Sequence, residues 1–141
     1  MRIHLEVEMK QLSDLHKIKY IHVIQPNQWY RPTSNNKYQR MFDHKTKGAI
    51  EPFAIESGYP LLLETSKTLG EDIHILELTK LFDEIPSAHF NRIYRDDCCH
   101  FTEKGSLMIA KEVVKFIAAS NEELAEVIST INVDQFLKSY N

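Results

Sequence analysis

Five consecutive positions, Asp96, Asp97, Cys98, Cys99 and His100, carry groups that ionise, ligate or attack. Asp97 and His100 stand three apart. An aspartate at that spacing in a loop can accept the Nδ1–H of the imidazole, fix its tautomer and stabilise the imidazolium formed during acyl transfer. The Nε2 is then open to take a proton from a serine hydroxyl. The same D-x-x-H spacing also suits an exposed polar turn ahead of a helix, where aspartate meets the positive end of the helix dipole. Spacing alone does not separate these readings.

The other reactive types are less suggestive. Cys98, Cys99 and His100, with Asp96, Asp97 and His89 nearby, are metal-ligand types, but adjacent cysteines lack the spacing of a zinc knuckle, so no metal is expected. A disulfide between neighbours closes a strained eight-membered ring, so two thiols packed under the loop are expected instead. His22 and His74, in IHV and IHI contexts, read as hydrogen-bonded core or helix-facing histidines. Only four glycines are present, Gly48, Gly58, Gly70 and Gly105, and none opens a phosphate-cradling loop. No cofactor is expected.

Periodicity supplies the elements that must position these groups. Leu5, Met9, Leu12 and Leu15 fall on one helical stripe, which outlasts the competing alternation of Ile3, Leu5, Val7 and Met9. Ile18–Ile24 is short, β-branched and nearly all apolar, as a parallel strand covered on both faces would be, and Gln25-Pro26-Asn27 ends it. A long loop from Gln28 to Glu56 is expected, with one helix around Lys37–His44. A further helix is predicted over Tyr59–Leu69, with Pro60 in its first turn and Gly70 as its C-cap. Ile73–Leu78 is the second strand. Thr102 caps a helix over Glu103–Ala118 whose buried stripe is Leu107, Ala110, Val113, Val114 and Ile117. Ser120 to Glu123 is a capping box opening a last helix with Leu124, Val127, Ile128 and Ile131. Gln28 and Trp29 follow the carboxyl end of the first strand, where open α/β sheets bind ligands. They are the candidate substrate-binding residues; Trp29 and Tyr30 covering the core edge is the plainer alternative.

The chain has 141 residues, 43% hydrophobic and 26% charged, with a net charge of -3, which suits one globular domain and not a disordered tail. No clustered basic face points to nucleic acid. No apolar run is long enough for a membrane helix, and MRIHLEVEMKQ lacks the unbroken apolar region of a signal peptide. Two cysteines exclude a disulfide scaffold. Two strands joined by a helical crossover make one βαβ unit, expected to be right-handed. Two strands seldom make a parallel sheet, and Ile18–Ile24 is too apolar for an exposed edge, so the fold class expected is α/β, the C-terminal part of a larger domain.

Several segments together resemble the SGNH (GDSL-type) serine hydrolase superfamily. Asp97-Cys98-Cys99-His100 is similar to its last block, and Phe101, Thr102 and Gly105 match the F-T-x-x-G that follows. YIHVIQPNQ (Tyr20–Gln28) looks like its penultimate strand, and ILELTKLFDE with IYRDDCCH like its last strand, turn and catalytic loop, doubled cysteine included. The likeness runs from about Tyr20 to Ile117. It implies a flavodoxin-like three-layer α/β/α domain with a parallel sheet. It also implies a Ser-His-Asp mechanism, with His100 as general base and then acid and Asp97 orienting it. The nucleophile's Gly-Asp-Ser block and the Gly-x-Asn-Asp oxyanion block do not occur in the chain. The expectation is therefore one partial domain over 1–141, early strands missing, with 121–141 as an extra helical segment, inactive alone. In the complete enzyme the substrate would be a small ester, or an acylated sugar or lipid. The partner would be the missing N-terminal part, or a second copy joined through the exposed sheet edge. The alternative is a non-catalytic α/β interaction module that keeps the hydrolase scaffold.

Overall fold

The computed structural model describes residues 2–30, 50–69, 73–96, 99–119, 121 and 125–126. The β-branched Ile21, Val23 and Ile24 favour extended backbone. They form β1 (Ile21–Ile24), which pairs in parallel with β2 (His74–Glu77), Ile21 opposite His74 and Ile24 opposite Glu77. The Leu78 amide continues the ladder onto the Ile24 carbonyl at 2.9 Å. Both strands are shorter than the sequence suggests, and each is the other's one neighbour among the described residues. The chain is thus a small α/β fold.

Helix α1 (Arg2–Leu15) precedes β1, and its Leu5, Met9, Leu12 and Leu15 are exposed. It ends with Lys17 in the left-handed region (φ 55°), while the amide of Ile18 donates to the Ser13 carbonyl at 2.8 Å. That is the six-to-one closure of a Schellman end, with lysine where glycine is usual.

Helix α2 (Ile50–Ser66) begins well before the predicted Tyr59 and so takes up the end of the expected loop. Pro60 lies inside it, not in its first turn; Pro52 is the proline near the start, where the helix has no amide bond to lose. Beyond Ser66 the chain turns through Lys67, Thr68 and Leu69. The predicted helix at Lys37–His44, the cap at Gly70 and the Ser120–Glu123 box lie outside the described residues. Of the predicted last helix, Ala125 and Glu126 are described, and both are helical.

The chain between β2 and α3 (Glu103–Ala118) folds over an aromatic cluster. Phe82, Phe90, Ile93 and Tyr94 are buried, with Leu81, Ile85, Phe101, Met108 and Ile109 packed around them. Tyr94 meets Phe82 and Phe90 edge-on, with ring centroids 5.8 and 5.6 Å apart, a favourable quadrupole arrangement. A 3₁₀ turn over Ser87–Arg92 delivers Phe90 and then Ile93 to this cluster. Helix α3 has the predicted bounds, and of its predicted stripe Leu107, Val113, Val114 and Ile117 are half-buried. Gly105 is its buried residue, Met108 and Ile109 reach the cluster, and Ala110 is exposed. The close approach at Gly105 sets this end of the helix, with Met108 and Ile109, against the cluster. His74 is exposed on β2, so it is not the core histidine its setting suggests.

Candidate active site

The loop that carries His100 is a hairpin set on the aromatic cluster. Tyr94 and Phe101 pair as an antiparallel bridge at its base, with rings 5.3 Å apart. Above them the Arg95 amide donates to the His100 carbonyl at 2.8 Å, and below them the Thr102 amide donates to Ile93 at 2.8 Å. The Thr102 hydroxyl lies 2.6 Å from the Arg92 carbonyl and 3.2 Å from that of Ile93, and it accepts from the Gly105 amide at 3.2 Å. One side chain thus caps α3 and ties it to the strand that enters the loop. A Cβ at Gly105 would overlap the Ile93 carbonyl oxygen and crowd the Phe101 Cβ at 3.2 Å. Threonine and glycine three residues apart are therefore what this junction requires.

Inside the hairpin, Asp96 organises the turn. Its Oδ1 accepts from the amides of Cys99 (3.1 Å) and His100 (3.3 Å), and its Oδ2 stands against His100 Nδ1. An ionised carboxylate only accepts, so Nδ1 is the donor, and in the neutral imidazole Nε2 then presents its lone pair. The imidazole is 71% exposed, open to solvent and not buried among leucine and valine. Asp97 and Cys98, the first two members of the D-x-x-H motif, lie outside the described residues. The carboxylate seen on the ring is that of Asp96, and its sequence signal is the doubled aspartate. Cys99 is a half-buried free thiol.

The loop lies beside the segment that leaves the carboxyl end of β1. There Pro26 and Asn27 are buried, and Asn27 folds the chain back, its Oδ1 accepting from the Trp29 amide at 3.0 Å and its carbonyl from the Tyr30 amide at 3.0 Å. Gln28 projects from this turn, and its Nε2 donates to the Asp96 carbonyl at 3.1 Å. The predicted Gln28 and the predicted His100 are thus brought together through Asp96. Trp29 is half-buried next to Gln28, and Tyr30 packs on Tyr59 with rings 4.9 Å apart. Burial pushes the Tyr30 phenol above its ordinary value, and the charges of Glu77 and Asp83 add to that. His89 is exposed on the 3₁₀ turn, and His22 is half-buried with Nδ1 3.3 Å from the Tyr20 hydroxyl.

Among the described residues no group of three or more histidine, cysteine, aspartate or glutamate side chains is placed to hold a metal ion. No described helix is long and apolar enough to cross a membrane. No family model, no curated protein and no solved structure matches the chain.

Proposed function

We propose that this chain supplies the acid–base half of a Ser-His-Asp ester hydrolase of the SGNH type, with His100 as the general base. One observation carries the reading: an aspartate holds His100 Nδ1 while the ring lies exposed beside the carboxyl end of a parallel strand pair. That is the polarity a proton-accepting imidazole needs. His100 Nε2 takes the proton from a serine Oγ as the Ser O–C bond to the ester carbonyl forms, then returns it to the departing alkoxide. A water repeats the sequence to release the acid. Throughout, the carboxylate on Nδ1 stabilises the imidazolium. The resembled family's motif gives that role to Asp97, which lies outside the described residues; this reading gives it to Asp96, whose carboxylate meets the ring among the described residues.

The serine and the oxyanion donors belong, in this reading, to sequence outside these 141 residues, because no Gly-Asp-Ser or Gly-x-Asn-Asp block occurs within them. The substrate is an ester of small size, or of an acylated sugar or lipid. The test is a polypeptide in which this chain follows a segment bearing Gly-Asp-Ser in the same reading frame. It should hydrolyse a short-chain activated ester and lose roughly 10⁴-fold or more in kcat on His100→Ala. Equal kcat in the two proteins overturns the reading.

A further inference from the structure

The hydrogen bond from Gln28 to Asp96 joins residues 68 positions apart, whereas the bonds described above for the His100 hairpin join residues at most ten apart. Its donor is firmly held. Pro26 and Asn27 are buried, the Asn27 side chain pins Trp29, and Ile24 closes the β ladder with Leu78. Its acceptor is the main-chain carbonyl of the residue whose carboxylate sits on His100 Nδ1. Holding that carbonyl fixes one end of the Asp96 backbone, from which the carboxylate reaches the ring.

We propose that Gln28 is a positioning residue that holds His100 in its base-competent tautomer by fixing the Asp96 peptide to the β1 end of the sheet. The proposal rests on the reading of His100 as a general base. Gln28 acts through Asp96, and it sets the height of the base over the strand ends, where a substrate carbonyl would lie. The sequence could only place Gln28 near a ligand, because a side chain acting on another loop's backbone leaves no periodic trace.

The test is imidazole ¹⁵N NMR on the full 141-residue chain at a pH where His100 is neutral, comparing wild type, Gln28→Met and Asp96→Asn. Methionine keeps the length of glutamine and removes the donor. Wild type should show Nδ1–H in excess. In Gln28→Met the ratio of Nδ1–H to Nε2–H should fall roughly fivefold, the equivalent of one ordinary hydrogen bond. Asp96→Asn should lower it at least as much. An excess that is lost in Asp96→Asn but unchanged in Gln28→Met overturns the role of Gln28 and leaves the base reading standing. A wild-type chain without the excess overturns both. Should Gln28→Met fail to fold, wild type still decides. The Gln28 side-chain amide should exchange with solvent severalfold more slowly than that of the exposed Gln11, and equal rates overturn the proposal.

Discussion

The carboxylate of Asp96 serves His100 twice, accepting from its backbone amide at 3.3 Å through Oδ1 and from its ring Nδ1 through Oδ2. Backbone conformation and ring orientation are thereby set by one side chain. Amide replacement keeps the shape but offers Nδ1 a neutral partner, so the ring loses its charged acceptor. In a polypeptide that includes the nucleophile, Asp96→Asn should lower kcat by roughly 10⁴-fold, as loss of the orienting aspartate does in a triad. If Asp96 orients the ring, Asp97→Asn should leave kcat within about threefold, a change smaller than one ordinary hydrogen bond. The reverse pattern assigns the orientation to Asp97, as the family motif does.

Two glycines give opposite signs on substitution by alanine. Gly105 packs against the Ile93 carbonyl, and the oxygen it would strike belongs to the backbone, which cannot swing aside. Gly105→Ala should destabilise the fold by about 1–3 kcal/mol through overpacking, despite the better helix propensity of alanine. Gly58 lies inside α2, and a methyl group added there would meet nothing within 4 Å. Gly58→Ala should therefore stabilise by about 0.5–1 kcal/mol. Urea midpoints at constant m-value measure both.

Thr102 tests the junction from its polar side. Thr102→Ala removes the α3 cap and the hydroxyl that meets the Arg92 and Ile93 carbonyls. A loss of about 1–2 kcal/mol is expected, most of it restored by Thr102→Ser, which keeps the oxygen. If serine fails as badly as alanine, the threonine methyl and not the hydroxyl holds the junction.

These residues also show what the sequence could reveal. The bounds of α3 were legible because its cap and its glycine are local signals, three residues apart. Its one buried residue was not, because the close contact with Ile93 is made by Gly105, which has no side chain to register as apolar. The start of α2 was hidden by a competing proline: Pro60 imitates a helix start, while Pro52 stands in the true first turn. The loop and His100 were legible from residue types. The contact of Asp96 with the ring was not, since adjacent aspartates are chemically identical and residue type marks neither of them.

The Tyr30 phenol gives a prediction in pH. Burial raises its pKa above 10.0, and Glu77 and Asp83 raise it further by opposing a third negative charge. The unfolded chain therefore releases this proton first as the solution becomes alkaline. Stability is fully present below about pH 10 and falls as pH climbs through the folded value. Tyr30→Phe should make that alkaline decline shallower while leaving the neutral-pH curve's shape unchanged. A decline of equal slope in both proteins would place Tyr30 in an environment no different from water.

The chain by itself should not turn over esters. His100 is exposed, so solvent and small substrates reach its Nε2 freely, yet an imidazole without a serine beside it offers no covalent route. The oxyanion donors of the resembled family are absent from the sequence as well, and one such donor is commonly worth roughly 10²–10³ in rate. What remains is the reactivity of a surface histidine: slow, unsaturable and linear in ester concentration. The measurement is hydrolysis of a short-chain activated ester by the purified 141-residue chain beside its His100→Ala variant. Wild type should run at the rate of an equal concentration of free imidazole, within a few-fold, and the variant at or below it. Saturation in wild type that disappears in His100→Ala would mean that one of the chain's own serines is the nucleophile. The acid–base half would then be a complete enzyme, and the division of labour proposed above would be wrong.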